Sequence, residues 1–151
     1  MTQKHANTLA IAVSSGKIGY VFLTDGELRD WGLSSVAARS PEAAKGKVSH
    51  WIETYRPRLI VTEKLTLLTR KSGRTIRNIN VVSDTAQKSD AHHVEFERLQ
   101  HHDNKYQEAD DLCRKYPVIE NWKPRPRKPW ESEPKTAVIF EALSFADQID
   151  H

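Results

Sequence analysis

Two carboxylates in this 151-residue chain stand where a charge has to find a partner. Glu63 closes the run Arg58-Leu59-Ile60-Val61-Thr62-Glu63, which is β-branched and lacks polar alternation until its end, as in a strand buried on both faces of a sheet. Ligand sites in open α/β sheets lie at the carboxyl ends of strands, which makes Glu63 a candidate acid. An exposed carboxylate where the chain leaves the core is the equal alternative. Glu141 lies within Ala137-Val138-Ile139-Phe140-Glu141-Ala142-Leu143-Ser144-Phe145-Ala146. An unpaired carboxylate is costly to bury among such neighbours, so Glu141 calls for a cation, a donor network or a metal, unless it sits on the helix's solvent edge. Glu133, eight residues earlier, stands roughly 12 Å away along a helix axis, too far for one ion to be held directly by both. It reads as a helix-entry ligand or as an acid favourably placed at a helix N-terminus. Asp147 points nearly opposite to Glu141 and is expected to be a surface charge.

Cations cluster around these acids. Arg56, Arg58, Lys64, Arg70, Lys71, Arg74 and Arg77 fall in one short stretch with a single acid, Glu63. Lys123, Arg125, Arg127 and Lys128 are interleaved with proline between Trp122 and Trp130, combining phosphate contacts with stacking surfaces. Two such groups in one small domain favour a nucleic-acid partner over a merely solvated basic face. The totals, 23 − 20 = +3 and a pI of about 9.0, permit a polyanionic partner without requiring one. Other chemistries fit poorly. His92-His93 and His101-His102 are adjacent pairs, not the i, i+4 spacing of a helical zinc site. Cys113 falls on an apolar helix face and reads as packing. No Gly-rich phosphate loop occurs.

The elements that must position these residues follow from periodicity. Thr8–Ser14 and Ile18–Leu23 form an apolar hairpin about Ser15-Gly16-Lys17, and Asp25-Gly26 turns into a third strand, Glu27–Leu33. Ser40-Pro41 starts a helix carrying Ala44, Val48, Trp51, Ile52 and Tyr55, closed by Pro57. The strand ending in Glu63 is followed by a basic stretch and a helix marked by Ile76, Ile79, Val82 and Ala86. The apolar side of that helix would pack on the sheet or supply a self-complementary dimer face. His93–Glu97 alternates as a strand, and Asn104 with Gln107 resembles a capping box for a helix reaching about Arg114. The proline-rich segment from Tyr116 to Pro134 reads as an extended surface connection, and a last helix runs from Pro134 to about Ile149. This order predicts one α/β domain with a mixed sheet. A single cysteine, no apolar leader and no run of about 20 apolar residues lead us to expect a reducing, cytoplasmic setting.

Leu9-Ala10-Ile11-Ala12-Val13-Ser14-Ser15-Gly16-Lys17-Ile18-Gly19-Tyr20, Leu59-Ile60-Val61-Thr62-Glu63 and Ile139-Phe140-Glu141-Ala142-Leu143-Ser144-Phe145-Ala146 resemble the first strand, the strand carrying the second acid, and the last helix of RuvC-like Holliday-junction resolvases, of the ribonuclease H-like superfamily. Asp30-Trp31-Gly32, Asn104-Lys105-Tyr106-Gln107-Glu108-Ala109 and Lys128-Pro129-Trp130-Glu131-Ser132-Glu133 look like a group of uncharacterised bacterial RuvC-like proteins. The resemblance spans about Thr8 to Ile149. It implies a ribonuclease H-like fold with a three-strand antiparallel start, then parallel strands, and helices on both faces. It also implies Mg2+- or Mn2+-dependent phosphodiester hydrolysis on branched or structured DNA. Carried over, Glu63 and Glu141 become metal ligands and catalytic acids, with Glu133 assisting. Lys105 falls where RuvC-like enzymes hold a lysine near the substrate backbone, Arg70, Lys71, Arg74, Arg77, Arg125, Arg127 and Lys128 are expected as nucleic-acid contacts from their clustering, and a homodimer fits a two-fold symmetric junction. The sequence departs from the pattern at the first-strand aspartate, which falls at or beside Ala12, and at Val138, where active members often carry another acid. Three readings therefore stand open: a metal-dependent endonuclease, a non-cleaving nucleic-acid-binding module of the same fold, and a protein-interaction domain docking through Trp122, Trp130 and the prolines.

Overall fold

The computed structural model describes residues 7–66, 71–97, 105–126, 128, 130–131 and 134–149. Strands β1 (Asn7–Ser14), β2 (Lys17–Thr24) and β3 (Glu27–Ser34) form an antiparallel meander. Asp25 and Gly26, with φ of 52° and 82°, make the tight turn between the last two, the left-handed pair a two-residue hairpin requires. Strands β4 (Leu59–Glu63) and β5 (His92–Phe96) add in parallel beyond β1, giving the order β3-β2-β1-β4-β5. Every residue of β4 is buried, as expected of a strand covered on both faces.

Period-2 alternation sends β1 into two cores. Leu9, Ile11 and Val13 meet helices α1 (Pro41–Tyr55) and α2 (Gly73–Gln87), whose Ala44, Val48, Trp51, Ile79, Val82 and Ala86 are buried on that face. The apolar stripe of α2 is thus spent on the sheet. Ala10 and Ala12 face α3 (Lys105–Lys115) and α4 (Ala137–Ile149) through Leu112, Cys113, Ile139, Leu143 and Phe145. Local signals set the helix starts. Ser40 Oγ accepts from the Ala43 N–H at 3.0 Å ahead of Pro41, and Ser72 Oγ accepts from the Thr75 N–H at 3.2 Å.

Two expectations need correction. The segment after Tyr116 is not simply an extended connection: Pro117–Trp122 forms a 3-10 helix with Ile119 fully buried, and Trp122 meets Trp31 edge-on at 6.0 Å. An isoleucine among prolines found core space that the proline count concealed. The last helix begins at Ala137 rather than at Pro134. Asp147, expected as a surface charge, is partly exposed, pairs with Lys115 and accepts from Tyr116 Oη at 3.1 Å.

Small residues let α4 settle on the sheet. Ala12 pairs with Gly19 across β1 and β2, and a Cβ at Gly19 would lie 2.8 Å from Val138 Cγ1 and 3.2 Å from the Val138 carbonyl carbon. Gly19→Ala is therefore expected to cost about 1–3 kcal/mol by overpacking. Gly46→Ala, in open space on α1, should instead gain up to about 1 kcal/mol from helix propensity. Urea melts of the two variants check the contrast.

Candidate functional site

Strands β1 and β4 run parallel with Ala10 paired to Val61. Beyond that pair, alternation along each strand puts Ala12 on the side of Ala10 and Glu63 on the side of Val61, the side covered by α4. Glu141, on the second turn of α4, completes the approach from above. The fold thus brings Glu63 and Glu141 together across 78 residues of sequence, as a shared site would need. From β1, however, this face receives only the methyl of Ala12, which is 0% exposed and packed in the core.

Between the two acids lies the ammonium of Lys71. Its Nζ is 2.7 Å from Glu63 Oε1, 2.8 Å from Glu141 Oε2 and 2.7 Å from the Val13 carbonyl oxygen. An ammonium has three N–H donors, and here each has an acceptor, one from β1, one from β4 and one from α4. Lys71 directly precedes the Ser72 cap, so the start of α2 is tied to the sheet through the same nitrogen. Burial by itself would pull the lysine pKa down. The Glu141 and Glu63 carboxylates more than offset it and hold the group above its ordinary value, so it is charged at neutral pH.

The implied divalent ion does not fit this arrangement. Oxygens at 2.7 to 2.8 Å from one centre match charge-assisted N–H···O bonds, whereas Mg2+ demands about 2.0–2.1 Å and near-octahedral oxygen ligation. Among the described residues no group of three or more His, Cys, Asp or Glu side chains is placed to hold a metal ion. Two carboxylates already sharing a cation, with no acid on β1, are an ammonium site.

The other sequence-selected residues scatter. Arg74 and Arg77 are exposed on α2, with Arg74 Nη2 donating to the Arg39 carbonyl at 3.3 Å. Arg125 and Lys128 are exposed beyond the 3-10 helix, and Lys128 Nζ stands 5.4 Å from the ring centre of Trp130, itself 77% exposed. Lys105 opens α3. Glu133, Arg70 and Arg127 lie outside the described residues.

Two polar groupings were not anticipated from sequence. His93 bridges Thr62 Oγ1 at 2.7 Å and Gln87 Oε1 at 2.9 Å, with burial pulling its pKa down. Tyr55 donates to Asp30 and shares a 2.7 Å hydrogen bond with Tyr20, and burial followed by the Asp30 bond raises its pKa. Each joins strands to a helix that only the tertiary fold brings close.

No family model matches the sequence, and no curated protein matches it. Solved structures do match in shape. Thermus thermophilus RuvC in complex with a Holliday-junction substrate superposes with a TM-score of 0.64 over 97% of this chain and 92% of that chain, at 12% identity. The chain has the RuvC-like resolvase fold. The yeast mitochondrial Holliday-junction resolvase matches this chain with a TM-score of 0.63 and 10% identity over 95% of it and 78% of the yeast chain. The fowlpox virus resolvase, in complex with Holliday-junction DNA, matches at 0.58 and 12% identity over 95% and 98%. Identities this low carry the fold, including the mixed five-stranded sheet, and leave the chemistry to the residues of this chain.

Proposed function

We propose that this RuvC-like protein binds branched or structured DNA without cutting it. The observation that carries the reading is Ala12. It lies on the same α4-covered side of the sheet as Glu63 and brings only a methyl to the face where a third carboxylate would be required. Phosphodiester hydrolysis by two metal ions depends on several carboxylates converging to clamp the attacking and leaving oxygens, and the described residues supply two. Support for branched DNA as partner comes from the neighbouring structures, two of which hold Holliday-junction DNA. Further support comes from the exposed Arg74, Arg77, Arg125 and Lys128 and from the open ring of Trp130.

The test is a gel titration of the pure protein on a four-way DNA junction and on linear duplex, with Mg2+ or Mn2+ present and then chelated. We expect a junction-preferring shift that weakens steeply with salt, as phosphate contacts dictate, and intact strands on the denaturing gel under every ion. Arg125→Glu with Lys128→Glu should weaken the shift. Metal-dependent cutting lost in Glu63→Gln would instead establish a nuclease, and absence of any preferential shift would point to a protein-interaction domain.

A further inference from the structure

We infer that Lys71 is the built-in cation of this site, so that the site needs no metal as it stands and becomes a divalent-cation site once the lysine alone is shortened. Three oxygens from three separate elements, Val13 O, Glu63 Oε1 and Glu141 Oε2, converge on the one nitrogen at 2.7, 2.7 and 2.8 Å. Glu63 is only 7% exposed. Two carboxylates held that close in a half-buried setting repel each other unless a positive charge lies between them, and the lysine meets that need from within the chain. The carboxylates thereby acquire a task other than hydrolysis: they fasten α2, through the residue ahead of its cap, to the ends of β1 and β4 and to α4. An ammonium that donates to three fixed acceptors is also not free to bind a phosphate, which separates Lys71 from the exposed cations of the same stretch.

Wild type excludes divalent ions because a tethered competitor holds their place. Shortening Lys71 to alanine leaves Glu63, Glu141 and the Val13 carbonyl facing a gap, a hard-oxygen set suited to Mn2+ with water filling the remaining positions. The experiment measures Mn2+ binding to the full-length protein by electron paramagnetic resonance, alongside thermal melting in chelator and in Mn2+, with no DNA present. This keeps it separate from the junction assay, so either result can fail alone.

For wild type we expect no Glu63-dependent Mn2+ site and a melting temperature indifferent to Mn2+. Lys71→Ala should bind one Mn2+ per chain at least ten-fold more tightly than wild type. At about a hundred times its Kd the ion should raise the variant's melting temperature by roughly 5 °C or more. Adding Glu63→Gln to Lys71→Ala should abolish both effects. Wild-type protein binding Mn2+ through Glu63 as tightly as Lys71→Ala would overturn the inference, because the lysine would then be a side chain that steps aside. Failure of Mn2+ to bind Lys71→Ala would overturn it equally. Should that variant not fold in chelator, the wild-type titration still decides, and refolding in Mn2+ alone counts for the inference.

Discussion

Lys71→Met is expected to lower the melting temperature by roughly 6–12 °C, corresponding to a loss of about 3 kcal/mol at the 2–4 °C per kcal/mol typical of this chain length. The methionine fills much of the lysine's volume, so the loss isolates the charge. Without the ammonium, Glu63 and Glu141 face each other with side chains only 9% and 11% exposed. Removing one partner of a buried pair costs about 3–5 kcal/mol because the other charge is stranded. The lower end applies, since the lysine side chain is itself 25% exposed and water screens part of the interaction. The control is Lys71→Met combined with Glu63→Gln and Glu141→Gln, which removes the stranded charges and should recover most of the loss. A single variant melting within about 1 °C of wild type would mean that the cluster is screened like an ordinary surface pair.

Phe145→Ala should be at least as damaging, by about 3–5 kcal/mol. The ring is 0% exposed, ranks among the largest fully buried side chains, and meets Phe96 at a centroid distance of 6.0 Å and an interplanar angle of 50°. It joins α4 to the edge strand β5, so truncation leaves a cavity that Leu143 and Ile139, already packed, cannot close. Val118→Ala, at a position 59% exposed, should stay within about 0.5 kcal/mol. Urea denaturation of the two variants measures the difference, and a cost below about 1 kcal/mol for Phe145→Ala would show that α4 does not seat on the sheet as described.

Much of the fold was legible because it is written locally. The Asp25-Gly26 turn, the Ser40-Pro41 helix start, the unbroken apolar run into Glu63 and the three- and four-residue spacing from Ile76 to Ala86 each fix an element through contacts within a few residues. Where local signals misled, longer-range packing had intervened. Prolines predicted an extended path after Tyr116, but Ile119 and Trp122 packed against the domain as a 3-10 helix. The partners of Asp147, Lys115 and Tyr116, lie 32 and 31 positions away and so left no local signal.

The sequence by itself determined that Glu63 ends a buried strand, that Glu141 needs a partner, and that the first strand offers Ala12 where an acid would serve catalysis. The first two follow from residue type and neighbours, and the third from the resemblance of the first strand to that of RuvC-like resolvases. Only the tertiary structure decided what the partner is. Lys71 reads in the sequence as one more cation in a basic stretch, since nothing in its spacing from Glu63 or Glu141 fixes where a four-carbon side chain on a connection will point. Its direction is set by the parallel pairing of β1 and β4, by α4 lying close over Ala12 and Gly19, and by the Ser72 cap. Together they bring its nitrogen between the Glu63 and Glu141 carboxylates.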